Sequence, residues 1–550
     1  MIAVVIVLAV DVMMLPKTYW QSEEVRFGQA LLTFDPLQQQ PEPPAYPLYV
    51  ALGRVLNFFV HDPFFALLAL SVISTVAGVV ITALLATELF GDTWSGAAAA
   101  LVLYLSPAML IFGPLPNAEA VAMALIAAAL LALVRGNAMW FGIFAAAAVG
   151  ALPPIAVAML VMAGVAPAIS PAMRRVSAAV IGGATLLLCF VPLIEAIRGR
   201  VGYYVFTNYA ALKTSSAAAG LDGRELVLRF IAHPWGSKWL SFPLLIAAVI
   251  GFAMLCGGRF LNRPSPVEKP ASTLAAFAVA HLLFCFAVAD RGDGVQPVIP
   301  SMIAVAMFAA AALSRWPRIA FAAALVYGAG AFVYAWPVLY DRHRVPSPPA
   351  AAMRYARQQL PADAMLLYEP SLEAWARSSR FSIAPIRDFD RYADQKIPLF
   401  VLGDGGSTMQ HARIFFWPDS DAYGKVTTNR YRVVSLIPFP PPVRYRSLGG
   451  VYGFERTSDE EWRWLAGDAI VELPRLGTRV ASVRLALPRD APIDSNSVNI
   501  NGSTVTVPRG GSISFSFPAS SILRIHSARS FTSPRDRRTL AVQLLSLEQR

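Results

Sequence analysis

The chain has 550 residues and a net charge of +11, and 56% of its residues are hydrophobic whereas only 15% are charged. This composition excludes an ordinary soluble protein and indicates a polytopic membrane protein. Residues 1–344 carry 36 of the 81 Asp, Glu, Lys and Arg residues, so a membrane part is expected to precede a water-facing part. No Lys/Arg block is long enough to bind nucleic acid, and all three cysteines lie in apolar runs, which argues against a disulfide framework.

Eleven apolar runs bounded by glycine, proline or charged residues predict about 11 transmembrane helices in a domain that spans residues 1–341. The runs are Ile2–Leu15, Phe64–Phe90, Gly96–Phe112, Ala118–Val134, Met139–Leu152, Ile155–Ala168, Val176–Ile197, Trp239–Cys256, Thr273–Val288, Pro297–Leu313 and Ile319–Trp336. Several are shorter than the ~20 residues that cross a bilayer untilted. The first run follows no basic segment and has no small-residue cleavage site, which favours an uncleaved helix over a signal peptide.

Basic residues set the predicted orientation. If Pro153 and Pro154 separate two helices instead of kinking one, then Arg135, Arg174 and Arg315 share one face of the membrane. The positive-inside rule assigns that face to the cytoplasm. An odd number of helices then places the C-terminal part outside, together with two long outer loops at residues 16–63 and 198–238. A helix at Leu48–Val60 within the first loop is expected to lie at the membrane interface.

The water-facing part is predicted to contain two domains. A linker at Arg342–Pro349 and a helix at Ala350–Leu360 lead into a small α/β domain within residues 342–438. Its predicted strands are Met365–Tyr368, Pro398–Leu402 and Arg413–Trp417. Residues 439–550 contain short strands separated by Gly, Pro and Asn turns, which indicate a β-sandwich. These strands are Ala469–Leu473, Val480–Leu487, Ser497–Ile500, Ser503–Val507, Ser512–Phe517, Ile522–His526 and Leu540–Leu547.

Acidic residues in the first outer loop are the strongest sign of chemistry. The sequence contains no His-Glu-x-x-His zinc-binding helix, no Gly-x-x-x-x-Gly-Lys phosphate-binding loop and no Gly-x-Ser-x-Gly nucleophile turn. The loop carries Gln21-Ser22-Glu23-Glu24 and, further on, Glu42-Pro43-Pro44-Ala45-Tyr46-Pro47-Leu48-Tyr49. Neither a metal nor a cofactor is expected. Taken alone, the residues leave two interpretations open. The adjacent glutamates either hydrate an interfacial loop, or one of them is a general base whose pKa desolvation has raised.

About the first 135 residues resemble a known family. The segment from Pro43 to Gly53 resembles the His-Pro-Pro-Gly-Tyr-Pro-Leu-Tyr-x-x-x-Gly motif of the DUF2723 branch of GT-C fold integral-membrane glycosyltransferases, which is related to protein O-mannosyltransferases. Ser106-Pro107 and Asn117-Ala118-Glu119-Ala120 are similar to the third and fourth helices of that branch. The chain departs from the branch at Gln21, where the branch has Asp, and at Glu42, where it has His.

The resemblance implies a glycosyltransferase of a bacterial cytoplasmic membrane. It would transfer a sugar from a polyprenyl-phosphate donor to a glycan, lipid or protein acceptor at the outer face. Glu24 and Glu23 are then the candidate catalytic bases, because the family's Asp is replaced by Gln21. Substrate contacts are assigned to side chains near the outer face, for which the alternative is a role as interfacial anchors or as helix-dipole contacts. They are Arg198, Arg200, Tyr203, Lys213, Arg291, Glu119 and Tyr46.

Two other classes of protein stay open. A transporter would need ionisable residues along a midplane pathway, for which Asp11, Glu195 and His281 are the candidates. A non-catalytic protein that assembles or binds envelope glycans on the same scaffold is favoured by the missing acid at Gln21. The C-terminal domain resembles a β-sandwich appended to bacterial glycan enzymes. Its Trp462 and Trp464 alternate along one strand, which favours core burial over sugar stacking.

Overall fold

The computed structural model forms two compact units, each built from two chain segments. The first unit is Met1–Pro346 with Pro418–Asn429, and the second is Ser347–Trp417 with Arg430–Arg550. The structure describes residues 12, 14–165, 172–206, 223–256, 268–288, 294–393, 397–407, 411–418, 420–427, 431–440, 443–456, 461–473, 480–518, 520–533 and 536–549. The predicted domains at residues 1–341, 342–438 and 439–550 stay predictions.

The first unit is α-helical throughout its described elements. Its helices are α1 (Ser22–Leu32), α2 (Pro47–Val60), α3 (Pro63–Phe90), α4 (Thr93–Tyr104), α5 (Pro107–Phe112), α6 (Ala118–Val134), α7 (Ala138–Ala151), α8 (Ala156–Val165), α9 (Ala172–Ala196), α10 (Gly223–Val227), α11 (Lys238–Cys256), α12 (Glu268–Val288), α13 (Ile299–Ala312) and α14 (Pro317–Arg344). Short 3-10 turns lie at Pro36–Gln38, Pro153–Ile155, His233–Trp235 and Gln296–Val298, a π turn at Leu228–Ala232 and a short helix at Asp421–Lys425.

Long apolar helices confirm a multi-pass membrane protein. Within the described residues, α3, α9, α11, α12 and α14 contain spans that are long and apolar enough to cross a bilayer, and six shorter apolar helices accompany them. The first predicted run, Ile2–Leu15, lies almost wholly outside the described residues. The count of 11 transmembrane helices therefore stays a prediction.

Small residues let the helices pack closely, as is common in membrane proteins. A Cβ atom at Gly142 of α7 would overlap the main-chain carbonyl of Ala178 on α9, and one at Gly251 of α11 would overlap that of Phe308 on α13. Trp94 at the start of α4 packs edge-on against Phe321 near the start of α14, with ring centroids 5.1 Å apart. These two helices therefore begin at the same end of the unit.

The predicted first outer loop is held by local turns between α1 and α2. Asp35 accepts hydrogen bonds from the main-chain N–H groups of Leu37 and Gln38, and Pro47 begins α2, where its missing N–H costs nothing. Ala45 and Tyr46 both have positive φ angles, of 82° and 46°. Further along, α2 exposes Val55, Phe58, Phe59 and Val60, the apolar face expected of a helix at a membrane interface.

The second unit is rich in β-structure and contains a mixed five-stranded sheet. The sheet has the order β2–β1–β3–β5–β4, and β1 runs parallel to β2 and β3. Its strands are β1 (Met365–Tyr368), β2 (Ser382–Pro385), β3 (Leu399–Asp404), β4 (Arg413–Phe416) and β5 (Val433–Pro438). The accompanying helices are α15 (Pro348–Gln359), α16 (Glu373–Arg377) and α17 (Phe389–Tyr392). The sequence predicts three of these strands and misses β2 and β5.

An eight-stranded antiparallel sheet makes up the rest of this unit. Its strands are β6 (Arg446–Arg456), β7 (Glu461–Glu472), β8 (Val480–Leu487), β9 (Ser495–Ile500), β10 (Ser503–Pro508), β11 (Gly511–Pro518), β12 (Ile522–Ser527) and β15 (Val542–Gln549), with a separate ribbon of β13 (Phe531–Ser533) and β14 (Asp536–Leu540). Val507 of β10 and Val483 of β8 share one buried core although the two strands are far apart in the sheet order. The C-terminal β-rich region is confirmed, whereas the two-sheet sandwich stays a prediction.

Three predicted boundaries are wrong. The apolar run Gly96–Phe112 is two helices, because the helix stops at Tyr104 and Ser106 caps a new one that begins at Pro107. The predicted linker Arg342–Pro349 starts inside α14, which extends to Arg344. The predicted strand Leu540–Leu547 is divided at Ala541 between β14 and β15.

Candidate active site

Glu24 lies buried at the start of α1, with only 3% of its surface exposed. Gln21 is the N-cap, so Glu24 occupies the third helical position, from which a carboxylate can reach back to the free N–H groups of the helix start. It accepts a hydrogen bond of 2.6 Å from the main-chain N–H of Trp20. The sequence therefore fixes this carboxylate by a local capping arrangement, and burial removes it from water.

Glu119 is a second buried carboxylate, at the start of α6. Asn117 caps that helix by accepting a hydrogen bond from the N–H of Ala120, and it also donates to the carbonyl of Phe112 at the end of α5. The Glu119 carboxylate accepts a hydrogen bond of 3.0 Å from Nε2 of Gln296, which lies in a 3-10 turn before α13. The end of α5 and a turn 177 residues further along the chain thus fix the position of Glu119.

Arg342, near the end of α14, is a buried cation in the same unit, with 2% of its surface exposed. Its Nη1 donates to the carbonyl of Ile111, and its Nη2 lies 3.4 Å from the carbonyl of Leu110 and 3.3 Å from that of Met14. The guanidinium therefore binds the carbonyl end of α5, where helix carbonyls carry partial negative charge and favour a cation.

Electrostatic interactions tie these three charged groups together. Burial raises the pKa of Glu24 to about 8, whereas the N–H groups of Trp20 and Gln21 lower that pKa because they stabilise the charged form. The positive charge of Arg342 also lowers the pKa of Glu24, and the negative charge of Glu119 raises it. A carboxyl group in this state exchanges its proton near neutral pH, which suits it to general acid–base chemistry.

Glu23 has a different environment from its neighbour. It is half-buried, and it is hydrogen-bonded to the phenol of Tyr46. Burial and the charge of Glu23 both raise the pKa of Tyr46 well above its usual value. The predicted residues Glu23 and Tyr46 are thus brought into contact, and Phe27 packs edge-on against the Tyr46 ring at 5.1 Å.

Aromatic rings enclose the segment that leads into α1. Trp20 stacks on Phe112 with ring centroids 6.4 Å apart and meets Tyr423 edge-on at 6.2 Å. Arg26 forms an ion pair with Glu42 in the proline-rich loop before α2. The segment around α1 is therefore anchored to α5 on one side and to the proline-rich loop before α2 on the other.

The predicted donor-binding residues are only partly brought together. Arg198, Arg200 and Tyr203 follow α9 and are exposed to solvent. The next residue, Tyr204, is buried in one cluster with Ala45, which links this second outer loop to the first. Lys213 and Arg291 lie outside the described residues. No group of three His, Cys, Asp or Glu residues that could hold a metal ion occurs in the part of the chain that the structure describes.

Sequence reasoning missed Arg342 and Gln296. Arg342 stands in the polar stretch Asp341-Arg342-His343-Arg344, which is typical of a linker or an interfacial anchor, and the carbonyls that it binds are more than 200 residues away in sequence. Gln296 follows the charged stretch Asp290-Arg291-Gly292-Asp293 and belongs to no sequence motif. A local signal exists only for Gln296, because its neighbour Pro297 indicates the beginning of a helical turn.

No protein-family model matches the chain, and the search of curated proteins finds no match. Two solved structures of ArnT from Cupriavidus metallidurans are similar to it. The structure bound to undecaprenyl phosphate has 12% sequence identity and a TM-score of 0.48, and the apo structure has 13% identity and a TM-score of 0.47. Each alignment covers 79% of this chain and 97% of the ArnT chain.

Proposed function

We propose that this chain is a GT-C-type glycosyltransferase of a bacterial cytoplasmic membrane that takes a sugar from a polyprenyl-phosphate donor. The observation that carries the proposal is the buried carboxyl group of Glu24, with a pKa of about 8, in the first outer segment. The sequence resemblance to the DUF2723 branch supports it independently. In this proposal the loops at residues 16–63 and 198–238 and the C-terminal unit face the outside.

The proposed reaction needs one proton acceptor and positive charge near the departing phosphate. The Glu24 carboxylate accepts the proton of an acceptor hydroxyl while the hydroxyl oxygen forms a bond to the anomeric carbon of the sugar. The bond between that carbon and the phosphate oxygen breaks, and the polyprenyl phosphate leaves with the electron pair. Arg198 and Arg200, which are exposed beside the first outer loop, are the proposed contacts for the leaving phosphate.

Glu23 and Tyr46 are proposed to line the entry for the acceptor. Glu23 is more exposed than Glu24 and binds the Tyr46 phenol, so this pair can hydrogen-bond a hydroxyl group that approaches from the outer side. Tyr203, Lys213, Arg291 and Glu119 remain proposed substrate contacts. The acceptor is a glycan, lipid or protein hydroxyl, and we propose that neither a metal nor a cofactor takes part.

Sugar transfer in proteoliposomes tests the base assignment. With a radiolabelled polyprenyl-phosphate sugar, Glu24→Gln should lower the transfer rate by ~10²–10⁴-fold, the usual cost of losing a general base. Glu23→Gln should be the weaker lesion. Glu88→Gln is the matched control, because Glu88 is an acidic residue at the other end of α3 that pairs with exposed Arg135. Full activity in the Glu23→Gln, Glu24→Gln double variant would eliminate the assignment.

A non-catalytic glycan-binding protein is the second candidate, and one observation favours it. The Glu24 carboxylate is bound to the N–H groups at the start of α1, a purely structural use of the group, and Gln21 replaces the acid of the family motif. Such a protein would bind the lipid-linked sugar and never transfer it. Retained binding of the donor by a parent protein that shows no transfer with any acceptor class would favour this candidate.

A further inference from the structure

We infer that Arg342 is a positioning residue for Glu24: fixed at the carbonyl end of α5, it places a permanent positive charge that favours the ionised, proton-accepting form of that carboxylate. The inference rests on the proposed function, in which Glu24 accepts a proton. It assigns a role to a residue whose sequence context indicates only a linker.

The hydrogen bonds of Arg342 make its position rigid. The guanidinium donates to two carbonyls of α5 and to the Met14 carbonyl, which belongs to the segment leading towards Glu24. Because the planar guanidinium already binds several acceptors, the side chain loses little conformational freedom when a substrate binds. Burial of the whole side chain in a low-dielectric surrounding also strengthens its interaction with any charge nearby.

The groups around Glu24 have opposite effects on its charge. Arg342 from α14 favours the carboxylate, and Glu119 from α6 opposes it. The charge of Glu24 also interacts with the phenols of Tyr19 and Tyr49, whose pKa it raises. Two main-chain N–H groups stabilise the carboxylate, but burial opposes it more strongly than any of these groups favours it.

Neighbouring groups also join Arg342 and Glu24 in space. Arg342 binds the carbonyl of Ile111, the next residue Phe112 stacks on the Trp20 ring, and the Trp20 N–H donates to Glu24. Arg342 is therefore a buried cation near Glu24 whose charge favours the ionised form.

A chemical label can measure this dependence without any transfer reaction. Dicyclohexylcarbodiimide reacts with protonated carboxyl groups in apolar surroundings, and mass spectrometry locates the modified residue. We would measure labelling of Glu24 against pH in the full-length, detergent-purified protein, in a Glu23→Gln background so that the two neighbouring residues cannot be confused. Labelling should fall with a midpoint near pH 8.

Three substitutions give distinct expected results. Arg342→Gln removes the charge, so the labelling midpoint should rise above that of the parent. Arg342→Lys keeps the charge on a side chain with a different reach, so its midpoint should lie between those of the parent and Arg342→Gln. Glu119→Gln removes the opposing charge, so its midpoint should fall below that of the parent. An unchanged midpoint in Arg342→Gln overturns the inference. If that variant does not fold, Arg342→Met removes the same charge and decides in its place.

The pH profile of sugar transfer separates a positioning role from a merely structural one. In Arg342→Gln the rate should fall at neutral pH and recover towards the parent rate at high pH, with the same shift of midpoint as the label. A structural role would lower the rate equally at every pH, and that result would overturn the inference. If no variant and no parent transfers sugar while the labelling midpoints still shift, then the proposed function is wrong and the coupling of Arg342 to Glu24 stands.

Discussion

Arg342 of the helical unit and Arg463 of the β-rich unit are both buried, and the two arginines are bound in different ways. Arg463 of the β-rich unit donates two hydrogen bonds to the Asp390 carboxylate, at 3.1 and 3.0 Å, and a third to the carbonyl of Tyr452. Arg342 of the helical unit donates to main-chain carbonyls at the end of a helix. Arg463 therefore forms a bidentate ion pair with Asp390, whereas Arg342 places its positive charge against the carbonyls of a helix.

The different partners of Arg463 and Arg342 indicate which of these two buried charges has a functional role. The Arg463 guanidinium also lies 5.0 Å from the Phe454 ring and 5.4 Å from the Tyr445 ring, so its charge is compensated where it stands and holds β6 and β7 to α17. Arg342 instead acts on Glu24, whose proton equilibrium lies near neutral pH. A buried ion pair is a structural device, whereas a buried charge beside a shifted carboxyl group indicates chemistry.

The largest expected effect concerns the ion pair between Asp390 and Arg463 in the β-rich unit. Asp390→Ala leaves the buried Arg463 without its carboxylate, and breaking such a pair typically costs about 3–5 kcal/mol. Reversible denaturation of the purified protein, followed by near-ultraviolet circular dichroism, measures the loss. The double variant Asp390→Ala, Arg463→Met should recover part of the stability because no uncompensated charge remains.

A surface pair provides the control for that experiment. Asp494 lies 2.9 Å from Arg509 in the same unit, and both side chains are largely exposed. Asp494→Ala should therefore change the free energy of unfolding by less than about 1 kcal/mol. Equal losses of unfolding free energy in Asp390→Ala and Asp494→Ala would show that burial of Arg463 does not strengthen its ion pair with Asp390.

A smaller effect is expected from the buried helix cap in the first unit. Asn117→Ala removes hydrogen bonds to the N–H of Ala120 and the carbonyl of Phe112 in a region that water does not reach, so we expect a cost of about 2 kcal/mol. Asn137 caps α7 in the same way, but it is exposed. Asn137→Ala should cost about 1 kcal/mol or less. Unfolding in mixed detergent–SDS micelles compares the two, and a larger loss from Asn137→Ala would contradict the role of burial.

The apolar pattern predicted the multi-pass helical part and the β-rich C-terminal part, because hydrophobicity and turn residues act locally. The break at Leu105 and Ser106 was missed because the apolar run is continuous there, although Pro107 marked the new helix. The strands β2 and β5 were missed because neither alternates in a simple way between polar and apolar residues.

The candidate site was predicted in part. Glu24 and Glu119 were both selected from the sequence, since each follows an apolar run at the predicted outer end, and the two carboxylates interact electrostatically. Arg342 and Gln296 were missed because their partners are distant in sequence, and no local pattern records such contacts. The exposed Arg198 and Arg200 stay predictions.

The rate of sugar transfer should depend on pH through Glu24, by about tenfold. Burial raises the pKa of this carboxyl to about 8, so it is mostly protonated at pH 7 and mostly ionised at pH 9. The base must be ionised to accept a proton, so kcat/KM should rise about tenfold between these pH values. The residual activity of Glu24→Gln should lack this rise. A parent profile that is flat from pH 6 to 9 would contradict the role of Glu24 as the base.

The smallest expected effect concerns Ala45, which has a positive φ angle in the loop before α2. Its φ angle of 82° favours glycine, so Ala45→Gly should relieve about 1 kcal/mol of backbone strain. The variant also loses a buried methyl group that packs near Leu193 and Ile197, at a similar cost of about 0.8 kcal/mol. We therefore expect the free energy of unfolding to change by less than about 1 kcal/mol.

Ala30→Gly is the matched control, because Ala30 is equally buried but lies inside α1, where glycine costs about 1 kcal/mol more in helix propensity. A loss at Ala45 as large as that at Ala30 would show that the positive φ angle imposes no strain on the first outer segment.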